Sequence, residues 1–195
     1  MAIFLESARL ILRPLELGDV DAGYARWMND REAMRYLESR FFPHSADSLR
    51  TFIASKSGDR QNLFLAIAVK GELGGDAARH IGNIKLGPID WIHRLGDIGI
   101  MIGESDCRGL GYGGEALGLV RDYAFSTLNL HKLTAGMYDV NASSRRIFEK
   151  AGFVVEGVRR SHYFCEGRWV DAIMMGMINP REREPDCQAK GKGES

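Results

Sequence analysis

Cys107-Arg108-Gly109-Leu110-Gly111-Tyr112-Gly113-Gly114-Glu115-Ala116 follows a strand-like apolar segment, Asp97 to Gly103, and opens a helical pattern. Its four glycines let the backbone take positive φ angles and come close to a ligand. The first turn of a helix leaves amide N–H groups without partners, and these favour an anion. A strand, a glycine turn and a helix start together predict a phosphate cradle.

Outward from this loop, the chain reads as alternating elements. Ala8 to Pro14 alternates as a strand, with Leu10 and Leu12 on one face. Asp19 to Met28 and roughly Asp47 to Ser57 carry apolar residues at helical spacing. Asn62 to Val69 reads as a buried strand, Gly71 to Arg79 as a hairpin-type turn, and His80 to Leu86 as the next strand. A turn is expected at Gly87-Pro88. Asp97 to Ile102 is a strong strand with Ile98, Ile100 and Ile102 in register. Leu117, Val120, Ala124 and Leu128 form one stripe of the helix after the loop. Lys132 to Tyr138 is a strand, Asn141 an N-cap, and Gly152 the stop of the helix that begins at Ala142. Phe153 to Val158 and Trp169 to Ile178 close the domain. This predicts an α/β (α+β) fold with a mixed, mostly antiparallel sheet of about seven strands and about four helices. The domain should span residues 1–179, and the charged stretch 180–195 reads as a flexible tail.

The composition narrows the class. Lys plus Arg and Asp plus Glu number 26 each, so bulk charge favours neither nucleic acid nor an anionic membrane. No apolar run has transmembrane length, and the N-terminus does not read as a signal peptide. Three cysteines and five scattered histidines show neither disulfide nor metal-ligand spacing. A reducing, cytoplasmic setting without a metal is expected.

Gly109 to Gly114 also fits the dinucleotide pattern G-x-G-x-x-G, with Asp139 ending the next strand, so an NAD(P)-binding protein is a rival. Its mid-chain position after hairpin-linked strands speaks against that rival. The segment Asn141-Ala142-Ser143-Ser144 through Lys150-Ala151-Gly152-Phe153 adds a second motif. Together, Arg108-x-x-Gly111-x-Gly113 and Asn141-x-x-Ser144…Lys150-x-Gly152-Phe153 resemble the GNAT superfamily of acetyl-CoA-dependent N-acetyltransferases. The resemblance covers roughly Ala8 to Ile178.

That resemblance implies transfer of an acetyl group from acetyl-CoA to a primary amine by direct attack in a ternary complex. It places the CoA pyrophosphate on the amides around Arg108, Gly109, Gly111, Gly113 and Gly114. It lays the pantetheine arm beside Ile98 to Ile102, with a backbone N–H near Ile100 to Ile102 polarising the thioester. Tyr112, Asn141, Ser144 and Phe148 complete the expected cofactor lining. Asp97 falls where histone acetyltransferases of the superfamily carry a glutamate base, and Glu104 is a second candidate. Phe148 stands where many relatives have a tyrosine acid, which shifts that role to Ser144.

Trp91, His93, Arg94, Tyr138 and Tyr163 are the expected acceptor contacts. The acceptor is either a protein N-terminus, as in Rim-type enzymes, or the amino group of a nucleotide-linked sugar. Neither nucleic acid nor membrane is an expected partner, while an open sheet edge permits a homodimer. A non-catalytic acyl-CoA sensor on the same fold is the alternative that Phe148 supports.

Overall fold

The computed structural model describes residues 2–71 and 78–182. The turn expected over 71–79 lies largely outside them, as does the tail beyond 182. One eight-stranded sheet runs in the order β1-β2-β3-β4-β5-β6-β8-β7. Its strands are β1 (Leu5–Glu6), β2 (Leu10–Pro14), β3 (Leu63–Val69), β4 (Arg79–Asp90), β5 (Leu95–Ile102), β6 (Lys132–Tyr138), β7 (Val154–Cys165) and β8 (Arg168–Ile178). The helices are α1 (Ala25–Met28), α2 (Ala46–Ser55), α3 (Tyr112–Ser126) and α4 (Ala142–Lys150). Every neighbouring pair is antiparallel except β5 with β6. A single parallel pair is not the repeated βα winding a dinucleotide domain requires.

The boundaries depart from expectation at three places. The additional strand is the two-residue β1, held to β2 around Ser7, whose hydroxyl accepts from the Leu10 amide at 3.0 Å. The turn expected at Gly87-Pro88 is absent. β4 passes through a register shift between Leu86 and Ile89 and runs on to Asp90, so the two residues kink a strand without ending it. The closing strands are longer than the apolar runs suggest. Glu166 and Gly167, both at positive φ (50° and 83°), make a two-residue hairpin that lets β7 and β8 pair past the polar residues after Val158.

The two faces of the sheet are covered differently. Ile98, Ile100 and Ile102 look toward α3 and α4, joining Leu117, Val120, Leu133 and Met137 in the main core. Gly113 of α3 faces this contact: a Cβ there would lie at ordinary packing distance, 3.4 Å from Ile147 and 3.6 Å from Ile100. On the opposite face the helical turn Val20–Tyr24, α1 and α2 bury Val20, Tyr24, Trp27, Leu49 and Ile53, with Met101 packed against them. Cys107 and Cys165 are free and buried. Among the described residues no helix is long and apolar enough to cross a membrane.

The decisive feature lies between β5 and β6. They pair only at Leu95↔Lys132, Gly96↔Leu133 and Asp97↔Thr134. Beyond that point the two strands separate while each keeps its other neighbour. A fork therefore opens in the sheet, with Asp97 at its base and the glycine loop above the end of β5.

Candidate active site

Gly109 and Gly111 have φ of 78° and 85°, and Gly111 sits immediately before α3. A Cβ at Gly109 or Gly114 would meet nothing within 4 Å. The Arg108 amide donates to the Ser105 carbonyl at 3.2 Å, so it is withdrawn from the cradle. From Gly109 to Gly114 the amides have no hydrogen-bond acceptor among the described residues. For Tyr112, Gly113 and Gly114 the cause is simple: a helix offers no carbonyl to its first amides.

The arginine side chains at the loop are structural ties. Arg108 donates to the carbonyls of Ile102 (3.2 Å) and Gly103 (3.1 Å) and pairs with Glu32 at 2.9 Å. Arg9 donates from Nε to Glu115 at 2.7 Å, reaches the Leu110 carbonyl at 3.2 Å and lies 4.8 Å from the Tyr112 ring centre. Reading the chain in order missed Arg9, because β2 and α3 are about a hundred residues apart and only the fold joins them.

β5 supplies the second wall of the fork. The Gly103 amide donates to Ile81 of β4 at 2.8 Å. Backbone direction alternates along a strand, so Ile102 and Ile100 turn their N–H and C=O away from β4, toward the open edge. The Ile102 carbonyl is taken by Arg108. Ile100 keeps both groups open, as an extended amide chain would need in order to pair with it.

Across the fork, the Asn141 side chain caps α4, accepting from the Ser144 amide at 3.2 Å and the Ser143 hydroxyl at 2.9 Å. The Ser144 hydroxyl, half-buried, makes no hydrogen bond among the described residues. Phe148 does not line the fork. It is 2% exposed and packs edge-to-face on Phe153 at 5.0 Å, so it belongs to the core.

The opposite face of the fork gathers the polar chemistry. Asp97, Gly99 and Met101 share one side of β5, and Thr134, Gly136 and Tyr138 the matching side of β6. Asp97 accepts from the Thr134 hydroxyl at 3.2 Å. Burial pushes its carboxyl above the ordinary range, against the opposing pull of Lys85 and Thr134. Tyr138 and Tyr163 stack with ring centres 4.2 Å apart. The Tyr138 hydroxyl donates to Glu38 at 2.6 Å and accepts from Arg40 at 2.7 Å. Burial and Glu38 push it up to about 12. Tyr163 is also raised, by burial first and by the charge of Glu38 second. Tyr138 is buried beneath the stack, so the half-buried Tyr163 is the ring that can meet a ligand. Tyr163 follows a bulge in β7 where Ser161 has φ 47° and its amide is held by Asp171 at 2.8 Å. Glu38, Arg40 and Thr134 carry no local signal in the sequence, because they meet these groups only through the fold.

Three expected acceptor contacts are elsewhere. Trp91, His93 and Arg94 form the β4–β5 turn, at the end of β5 opposite the glycine loop. Trp91 donates to the Arg60 carbonyl at 3.1 Å. It borders a groove of about 660 Å³ with Leu63, Ile89, Tyr123 and Leu128 that does not include the fork. The His93 amide is held by Asp90. Arg94 grips Glu182 at 2.9 and 3.1 Å, and His131 meets the same carboxylate at 2.6 Å. At the start of the expected tail, Pro180–Glu182 forms a short helical turn joined to the sheet by that clamp. Glu104 is likewise committed: buried, it holds Arg26 (2.5 Å), the Trp27 indole (3.1 Å) and Arg79 (3.2 Å).

Comparison with known proteins adds an independent finding. The acetyltransferase (GNAT) domain model matches residues 9–154. The chain belongs to the GNAT acetyltransferase family. An uncharacterized N-acetyltransferase of Bacillus subtilis, YoaA, is 31% identical over 91% of this chain and 98% of its own length. The spermidine N(1)-acetyltransferase of Vibrio cholerae is 27% identical over 90% of this chain and 96% of its own. The crystal structure of a Vibrio cholerae spermidine N-acetyltransferase with CoA and spermine superimposes with a TM-score of 0.78 at 27% identity, covering 89% of this chain and 97% of that one. This GNAT protein is therefore an acetyl-CoA-dependent N-acetyltransferase.

Proposed function

We propose that this GNAT enzyme acetylates the amino group of a ring-bearing acceptor, a nucleotide-linked amino sugar in preference to a protein N-terminus. The observation that carries this reading is the Tyr163–Tyr138 stack beside the fork that has Asp97 at its base. A supported aromatic face suits a sugar or base ring, whereas an extended peptide would need an open groove. Several relatives are spermidine N(1)-acetyltransferases, so spermidine is the rival reading.

Acetyl-CoA brings the activated acetyl thioester. Amides Gly109 to Gly114 hold its pyrophosphate, and the open Ile100 edge holds the pantetheine chain and polarises the carbonyl. Asp97 takes a proton from the acceptor ammonium, whose pKa is about 10 in a free alkylamine, through a bridging water. Its raised pKa makes it a better proton acceptor than an ordinary carboxylate. Glu104 cannot share this role while three donors occupy it. Ser144 donates a hydrogen bond to the departing sulfur, whose proton comes from the newly bonded nitrogen or from water. A thiol pKa of about 8.5 makes that assistance modest, so Ser144→Ala should lower kcat by no more than about tenfold. A loss beyond a hundredfold would make the serine essential.

The cradle has its own test. Gly114→Glu places a side chain where nothing now lies within 4 Å. It also replaces glycine in a helical first turn, so thermal stability should hold or rise. The new carboxylate fills the cradle and repels phosphate, so the CoA Kd in calorimetry should rise at least about tenfold. An unchanged Kd would remove the loop as the pyrophosphate site. Function is tested by thiol release from acetyl-CoA over a panel of nucleotide-linked amino sugars, peptides with free N-termini, and spermidine. Turnover of spermidine or peptides alone would overturn the sugar reading.

A further inference from the structure

Lys85 lies on β4 directly opposite Gly99 of β5 and beside Phe64 of β3. Residues opposite one another in an antiparallel pair project to the same face. Lys85 therefore stands on the face of Asp97, Gly99 and Tyr163. Gly99 contributes no side chain, and a Cβ there would meet nothing within 4 Å, so the space beside the lysine is open. Lys85 is half-buried and pairs with no carboxylate among the described residues. It is near enough for its charge to oppose the rise in the Asp97 pKa.

Two further donors share this face. Asn83, two residues along β4 and 4% exposed, has a side-chain NH₂ with no acceptor among the described residues. Arg159 of β7, opposite Ala172, lies close enough to influence Tyr163. A partly desolvated ammonium that makes no direct ion pair, with Asp97 as the carboxylate that feels its charge, is stabilised further by an anion bound beside it.

We infer that Lys85 forms an anion subsite for the acceptor, so that the amine delivered to Asp97 belongs to a phosphate-bearing molecule and not to a polyamine. This rests on the reading of the Asp97 face as the acceptor site. The spacing gives the inference content. Gly99, opposite Lys85, is two residues from Asp97, which is about 7 Å along a strand. An amine and a phosphate on opposite sides of one sugar ring span about that distance. A second ammonium of spermidine would instead meet Lys85, and like charges in a partly buried site repel strongly.

The matched probes are glucosamine and glucosamine 6-phosphate, which differ only by the anion. The wild-type enzyme should favour the phosphate-bearing amine in kcat/KM by at least about tenfold, equivalent to about 1.4 kcal/mol. Lys85→Met should bring that ratio close to one through KM, with the CoA Kd unchanged. Lys85→Glu should invert the preference and gain turnover of spermidine. Either variant should also move the acid limb of the pH profile upward, because a charge that opposes protonation of Asp97 is gone; a merely structural lysine would not do this.

A wild-type enzyme without the preference, or a Lys85→Met enzyme that keeps it, overturns the inference. Calorimetry with the CoA-loaded protein separates the two readings. If glucosamine 6-phosphate binds the wild type and not Lys85→Met, yet neither it nor any nucleotide-linked amino sugar of the panel is acetylated, the sugar-amine reading fails and the anion subsite stands. If it does not bind the wild type, the subsite itself is refuted.

Discussion

Asp97→Asn is expected to lower kcat/KM by about 10²–10⁴-fold and, at the same time, to raise the melting temperature at neutral pH. Both effects have one origin. Asp97 is the last residue of the short β5–β6 pairing, and burial disfavours its charged form. The groups facing it are the Thr134 hydroxyl on β6, Lys85 on β4 and Tyr163 on β7. Its folded pKa lies above its unfolded value, so its contribution to stability is present at low pH and is lost as pH rises through the folded pKa. At neutral pH the ionised carboxylate is thus a cost to the fold. Asparagine keeps the acceptor for Thr134, removes the buried charge and cannot take a proton. In the wild type, the acid limb of kcat/KM should fall above the ordinary aspartate range, because activity needs the ionised form. Wild-type activity in the variant would eliminate Asp97 as the base. A lower melting temperature would show that the ionised carboxylate stabilises the fold.

Asp19→Asn is expected to destabilise the protein by about 3–5 kcal/mol in urea unfolding, the usual cost of stranding one member of a buried ion pair. Arg13 is 6% and Asp19 5% exposed. Two guanidinium bonds of 2.7 and 2.6 Å join them, and Asp19 also accepts from the Glu16 amide at 2.8 Å. Burial by itself would raise the Asp19 pKa, but the bonds from Arg13 and His80 override it and hold the carboxyl well below the usual range. The sign is opposite to that of Asp97. Stability from Asp19 is present above its unfolded pKa and fades only as pH falls through the depressed folded value. The neutral amide leaves the Arg13 guanidinium uncompensated in the interior. Replacing both residues together, as Arg13→Met with Asp19→Leu, should restore much of the loss. A loss below about 1 kcal/mol for Asp19→Asn would mean that water reaches the pair.

The parts of this protein legible in the sequence are those whose physics is local. Positive φ at Gly109 and Gly111, the orphan amides of a helix start, the Asn141 cap and the alternation of Ile98, Ile100 and Ile102 each depend on a few consecutive residues. They suffice for the phosphate cradle, the order of elements and the family. The same local reasoning does not reach the partners of other residues. Trp91 and Arg94 look like ligand contacts because they are an aromatic and a cation near a turn, but their partners, Arg60 and Glu182, are about 30 and 90 residues away. Phe148 looks like a cleft position because of its place in a motif, yet packing against Phe153 puts it inside. The strand through Gly87-Pro88 could not be foreseen, since a glycine–proline pair is locally a turn and only pairing with β5 carries the strand past it.

By itself, then, the sequence determined a phosphate cradle, a property of one short stretch of backbone, and the second motif at Asn141 to Phe153 turned that cradle from a dinucleotide to acetyl-CoA. Only the tertiary structure brings together the polar face on which we propose that the acceptor binds. Asp97 meets Thr134, Lys85 faces Gly99, and Tyr163 lies on Tyr138 above Glu38 and Arg40. These residues come from distant parts of the chain, and it is strand register and the parting of β5 from β6 that bring them together.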